Sequence, residues 1–219
     1  MLKIGLTGGI ASGKSVIGEM FVRLGAHLIQ SDAIAHSLME PGQPVYQEVV
    51  RHFGPEILNP DRTINRSKLA AAAFGTPAGA NAATPNSPMP RVQELNAIVH
   101  PAVIAHENQW MDGIGARDPN AIAIVEAALI LEAGAAGRFD YLVVVTCRPE
   151  QRIQRFAQRL GIPEDAARGE VARRMAAQIS DEEKIAAADF VIDNSGSLES
   201  TDRQVRKIFS ALGQDGPWC

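Results

Sequence analysis

The segment Gly8-Gly9-Ile10-Ala11-Ser12-Gly13-Lys14-Ser15 satisfies the pattern G-x-x-x-x-G-K-[ST]. A hydrophobic run, Ile4–Thr7, leads into it and an amphipathic stretch follows, so the context is strand, turn, helix. Successive backbone N–H groups in such a turn form a concave nest, and the start of the helix adds a positive dipole end. Gly8, Gly9 and Gly13 let the backbone approach anionic oxygens with no Cβ in the way. Lys14 reaches the terminal phosphates of a nucleoside triphosphate, and the Ser15 hydroxyl is a ligand for Mg²⁺. Ala11, Ser12 and Val16 complete the expected contacts to the nucleoside triphosphate, with Mg²⁺ as its ion. The competing reading is an ordinary glycine-rich turn with an exposed lysine.

Further side chains are candidates for the other half of the chemistry. Asp32 follows the second predicted strand, on the sheet edge that gathers ligands in a parallel α/β fold. There it would orient an acceptor hydroxyl for in-line attack, which matters more than proton removal in a loose phosphoryl-transfer transition state. It would serve equally well as the N-cap of a helix over residues 33–39. Glu126, at the end of the third predicted strand, is placed to hold Mg²⁺ through water, with Glu132 six residues on as a second acid. A salt bridge or a helix cap is the alternative for either. Arg148, Arg152, Arg155 and Arg159 share one helix face, and Arg173 and Arg174 follow after a turn at 161–163. Such a stripe is self-repelling unless an anion neutralises it, which suggests an arginine-bearing lid over the triphosphate. A solvated face is the plainer reading, and it is the one expected for Arg148 and Arg152. Asn194-Ser195-Gly196 follows the last strand and is either an adenine-reading loop or a plain turn. His100 precedes Pro101, which by itself marks only a residue that avoids helix. Cys147 reads as a small buried hydrophobe.

The elements that must position these groups follow from hydrophobic periodicity. Short apolar runs at 4–7, 27–30, 121–126, 141–146 and 190–193 read as strands covered on both faces. Helical patterns alternate with them. One runs through Val16, Ile17, Met20, Phe21 and Leu24 and stops at Gly25; another begins at Pro149 and ends before Gly161. Ser180 and Glu183 have capping-box spacing. The fold class is therefore α/β, a three-layer domain with a five-stranded parallel sheet; for a P-loop domain the expected order is 2-3-1-4-5. Residues 1–32 and 121–219 are expected to form the nucleotide core, with a small helical lid at about 148–178. Residues 33–120 form a mainly helical acceptor domain, and 75–90, rich in Pro, Ala and Gly, a flexible loop.

Composition narrows the class. The chain has 219 residues, 46% apolar and 21% charged, enough for a full core. A net charge of −4 argues against a general nucleic-acid partner. No apolar run reaches membrane-spanning length, and the two cysteines, Cys147 and Cys219, make no disulfide framework. A cytoplasmic protein, monomeric or weakly homo-oligomeric, is the expectation. An Asn-Lys-x-Asp base reader is missing, which argues against a GTPase.

Taken in order along nearly the whole chain, "GLTGGIASGKS", "SDAIAHSLMEPG", "HP" at 100–101, "EAALILEAG" and "ADFVIDNSG" resemble the dephospho-CoA kinases. The resemblance implies ATP-dependent phosphorylation of the 3′-hydroxyl of the dephospho-CoA ribose, the last step of coenzyme A synthesis. It implies Asp32 as the catalytic aspartate and Arg155, Arg159 and Arg174 as lid arginines acting with Lys14. It also implies His36, His100 and Glu132 on the acceptor side and Asn194 near the adenine. The sequence departs from the family pattern at Gln30, where an acid is frequent, and at His36, where arginine is usual. Ala11 stands for a glycine, Ala128 for a proline, Leu131 for a phenylalanine and Arg152 for a frequent glutamine. The rival readings are another small-molecule or nucleotide kinase, and a nucleotide-dependent binding protein with no acceptor.

Overall fold

A computed structural model of the chain describes residues 1–74 and 91–214. The expected loop at 75–90 and the terminal Cys219 lie outside the described residues. In chain order the elements are β1 (Leu2–Gly8), α1 (Lys14–Arg23), β2 (His27–Gln30), α2 (Ser31–Leu38), α3 (Pro44–Phe53) and α4 (Arg66–Phe74). They continue with α5 (Val92–Arg117), β3 (Ile122–Glu126), β4 (Tyr141–Thr146), α6 (Pro149–Leu160), α7 (Glu164–Ala176), α8 (Asp181–Ala186), β5 (Phe190–Asp193) and α9 (Leu198–Gln214).

The strands form one parallel sheet, as the alternation of strands and helices predicts, and its order β2-β3-β1-β4-β5 is the expected one. Side chains of one strand alternate between faces, and here both faces are covered. Ile4, Leu6, Ile124, Val143, Val145 and Ile192 meet Ile17 and Phe21 of α1 and Val205, Ile208 and Leu212 of α9. On the opposite face Ala123 and Val125 meet Met111 and Ile114 of α5. Leu142 and Val144 meet Ile130, with Phe139 packed alongside. That double burial is why β3 and β4 read as unbroken apolar runs, whereas the edge strands depart from the expected cover on both faces, with no buried residue in β2 and only Ile192 buried in β5.

Chain packing divides the molecule into two compact units, Met1–Gln30 with the described part of Trp110–Cys219, and Ser31–Gln109. The second unit is helical, with Val45, Val49, Phe53, Ile57, Leu69, Val99 and Val103 buried. Within it Ser31 Oγ donates to Glu107 Oε1 at 2.6 Å, which pins the first residue of α2 to α5. Asp32 lies inside the first turn of α2 and so is not the N-cap of a helix beginning at residue 33. The pre-proline preference is also overridden, since α5 continues through Pro101 and His100 is helical. An interior proline costs about 3 kcal/mol of helix stability. The helix is held on both sides of it by the buried Val99 and Val103.

Helix ends follow the local code. Pro149 occupies the first turn of α6, and Gly161 closes it at φ 63°, a left-handed conformation suited to glycine. The Ser180 hydroxyl accepts from Glu183 N–H, and the Glu183 carboxylate accepts from Ser180 N–H, so the predicted capping box starts α8. Phe21 is fully buried between α1 and the sheet. Phe21→Ala should therefore lower unfolding free energy by about 3–5 kcal/mol in urea titrations, with the slope of the transition unchanged.

Candidate active site

The loop between β1 and α1 is the centre of the site. Gly13, just before α1, takes φ 98°, and Ala11 takes φ 53°, so two positions of the loop are left-handed. Reversals of this kind aim successive amides to one side. No acidic residue sits in the first turn of α1, which leaves the positive end of that helix to an anion. Lys14 arches back over the loop, its Nζ donating to Gly8 O at 2.9 Å and Gly9 O at 3.4 Å.

Sheet register supplies the second component. Leu6 of β1 and Gln30 of β2 both stand opposite Glu126 of β3. Glu126, 8% exposed, therefore ends its strand beside the phosphate loop. Its Oε1 accepts from Ser15 Oγ at 2.8 Å and its Oε2 accepts from Gln30 Nε2 at 3.0 Å. The two residues expected to serve Mg²⁺ are thus in contact. A hydroxyl and a carboxylate are the hard oxygen donors that Mg²⁺ takes, so this pair fits the ion.

The underside of the loop is packed by protein. A Cβ on Gly8 would collide with Val145 O, one on Gly9 with the Arg152 guanidinium, and one on Gly13 with Asn194 Nδ2. Asn194 is buried, donates to Ser12 O at 2.8 Å and accepts from Thr201 Oγ1 at 3.0 Å. Its amide braces the loop from below, a use that turn chemistry at 194–196 does not reveal. Arg155 adds to the same brace, donating to Ser12 O at 3.2 Å and Asn194 O at 2.9 Å.

The arginine stripe of α6 is not uniform. Arg148 is exposed and its side chain donates to Ser195 O. Arg159 and the α7 residue Arg174 approach the ring of Phe156, their Cζ atoms 5.4 and 5.3 Å from its centroid. Arg174 also donates to Glu170 at 2.7 Å. Arg152 corrects the expectation of a solvated face, being 1% exposed and paired with the Asp181 carboxylate. Its partner comes from α8, 29 residues along the chain, so helical spacing alone gives no sign of it.

Glu132 is likewise engaged. Its Oε1 stands 2.9 Å from Nζ of the buried Lys184 and accepts from Ile179 N–H at 3.3 Å. Lys184 was not singled out from the sequence, where it is one more charge in an acidic, capped helix. Val16 is exposed on α1. Cys147 is buried behind the loop, and burial pushes its thiol up, against the opposing pull of Arg152 and Arg155.

Asp32, His36 and His100 belong to the helical unit. Asp32 and His36 are exposed and one turn apart on α2. Partial desolvation, and then the Arg66 guanidinium, hold the His36 imidazole below its ordinary value, while Asp32 pulls the other way. His36 accordingly favours its neutral form at neutral pH, where an arginine would be charged.

A parallel sheet with this order, a phosphate loop between β1 and α1, and a serine–carboxylate pair beside it define a P-loop nucleotide-binding protein. Comparison with known proteins narrows the class. A profile of the dephospho-CoA kinases matches residues 2–200. The dephospho-CoA kinase of Geobacter metallireducens is 40% identical over 217 residues, covering 99% of this chain and all of that one. That of Leifsonia xyli subsp. xyli is 38% identical over 212 residues, covering 97% and 99%. A crystal structure from Thermus thermophilus superimposes with TM-score 0.74 at 30% identity, covering 96% and 97% of the two chains. The fold is shared with the dephospho-CoA kinase of Campylobacter jejuni, with TM-score 0.64, 23% identity and 97% of each chain covered. The chain belongs to the dephospho-CoA kinase family.

Ala11 stores strain, because a left-handed residue with a Cβ costs about 1–2 kcal/mol relative to the right-handed form. Ala11→Gly should relieve part of it and raise the unfolding free energy by roughly 0.5–1 kcal/mol, read as a higher thermal midpoint.

Proposed function

We propose that this chain transfers the terminal phosphoryl group of ATP to the ribose 3′-hydroxyl of dephospho-CoA, the last step of coenzyme A synthesis. The observation that carries the reading is the contact of Ser15 with Glu126 beside a helix start that Lys14 completes. These are the parts a triphosphate needs, and the family match over residues 2–200 supplies the acceptor.

In this reading the amides of residues 8–15 and the dipole of α1 hold the phosphate chain. Lys14 leaves the carbonyls of Gly8 and Gly9 for the oxygens of the transferred group, where its charge matches charge developing in transfer. Ser15 and Glu126 would hold Mg²⁺, which supplies charge neutralisation on the phosphate oxygens. Asp32 would accept a hydrogen bond from the acceptor hydroxyl and align it in line. It follows Gln30, the last residue of β2, by two positions, and its exposed carboxylate leaves it available. His36, one turn along α2, and His100 of α5 would face the acceptor. Arg159 and Arg174, gathered on one ring, would stabilise transferred charge from the lid, while Arg155 acts through Ser12 O. Glu132 would act on the acceptor side only through the arrangement of its ion pair with Lys184.

Lys14→Ala should reduce turnover of ATP with dephospho-CoA by roughly 100- to 1,000-fold, with an unchanged circular dichroism spectrum. Turnover near the wild-type value would remove the phosphate role of the loop. Asp32→Asn keeps the shape and removes the charge. It should cut kcat about 100-fold or more while ATP affinity stays within roughly twofold. Parallel losses in kcat and ATP affinity would assign Asp32 a structural part instead. Assays with shikimate, gluconate and nucleoside monophosphates in place of dephospho-CoA test the acceptor; faster turnover of any of them would overturn the assignment.

A further inference from the structure

Gly9 lacks a side chain because of what lies beneath it. A Cβ there would run into Nη1 of Arg152 and stand 3.0 Å from its Cζ. The guanidinium is therefore in direct contact with the backbone of the phosphate loop. At 1% exposure, Arg152 is the largest of the fully buried side chains. Its Nε faces Cys147 O at 3.4 Å, and its Nη2 donates to the Asp181 carboxylate. A cation withdrawn this far from water is tolerated only with such a partner. The two partners are unequal, since the Asp181 side chain is 29% exposed and Arg152 is not exposed in any useful degree.

The placement of Asp181 is itself determined. It is the first residue of α8, whose start the Ser180–Glu183 capping box sets. One turn on, Lys184 is 1% exposed and pairs with Glu132, in the segment that follows β3. A six-residue helix thus anchors one buried ion pair under the phosphate loop and another against the residues after the Glu126 strand. The loop floor, α6, α8 and the segment after β3 are joined through charge.

We propose that Arg152 is a positioning residue for the phosphate-binding loop. Its planar guanidinium, neutralised by Asp181, forms the floor on which the Gly9 peptide rests, and so sets the affinity of the loop for the nucleotide. The proposal rests on the reading of this loop as the ATP site. Guanidinium shape matters as well as charge, because a flat group can lie against a glycine Cα where an ammonium on a flexible stem cannot.

The test compares ATP binding by calorimetry, thermal midpoints and steady-state kinetics in the intact chain for wild type, Arg152→Gln, Asp181→Asn and the double variant. Arg152→Gln should weaken ATP binding roughly three- to tenfold, with KM for ATP rising more than kcat falls and KM for dephospho-CoA unmoved. Asp181→Asn strands the buried cation, so it should lower the midpoint most, and adding Arg152→Gln should restore part of that loss. Arg152→Lys, also the fallback if Arg152→Gln does not fold, should weaken ATP binding in the same direction. Wild-type ATP affinity in whichever of these two arginine variants folds would overturn the proposal, even with a lowered midpoint, because Arg152 would then be scaffold alone. If the wild-type protein itself gives no heat with ATP, the ATP reading of the loop is what fails.

Discussion

The phosphate loop is a backbone held between two demands. Its amides must face a polyanion, and its other side must close against the protein without gaps. Val145 O, the Arg152 guanidinium and the Asn194 amide press on Gly8, Gly9 and Gly13 so closely that none of the three has room for a Cβ. Glycine is needed here for approach from below as much as for approach from above. The remaining parts of the site depend on this clamp, because a nest of amides is useful only when its conformation is determined before the ligand arrives.

Register in the sheet does the rest of the positioning. The central place of β1 brings β3 against one side and β4 against the other. Glu126 of β3 reaches Ser15 of α1, and Thr146 of β4 pairs with Asp193 of β5 immediately before Asn194. Two residues 182 positions apart, Ser12 and Asn194, meet at 2.8 Å because two strand pairings, β1 with β4 and β4 with β5, close the distance. Burial on both faces makes a register slip costly, since it would drive Ile and Val side chains out of their packed sites. The geometry of the site thus inherits its precision from the hydrophobic core.

Charge is handled differently on the two sides of the loop. Lys14 is a compact cation at the nest, its Nζ donating to the carbonyls of Gly8 and Gly9. Arg152 and Arg155 are committed to the protein, one through Asp181 and one through carbonyl oxygens. The arginine-rich helix beside the loop therefore carries members bound to the protein, Arg152 and Arg155, and one, Arg159, set over the Phe156 ring a turn further on.

The strand positions, the phosphate loop, the caps of α6 and α8 and the sheet order were legible in the sequence. The strands, the loop and the caps each depend on neighbours within about ten residues, while the sheet order came with the P-loop class that the motif marks. Glu126 was legible as an acid at the end of the third strand, and the structure adds its contacts with Ser15 and Gln30. Where reading failed, the cause was distance along the chain. Arg152 looked solvated because Asp181, 29 residues on, is invisible to helix periodicity. Lys184 passed unnoticed because Glu132 lies 52 positions before it. His100 looked non-helical because a residue before proline avoids helix, whereas packed valines on both sides carry α5 through Pro101. Local physics, periodicity and turn chemistry were enough to determine which elements form and which loop meets phosphate. Which charges are buried, and against what, was decided by tertiary structure alone, because desolvation of a side chain depends on everything that packs around it and not on its own neighbours in sequence.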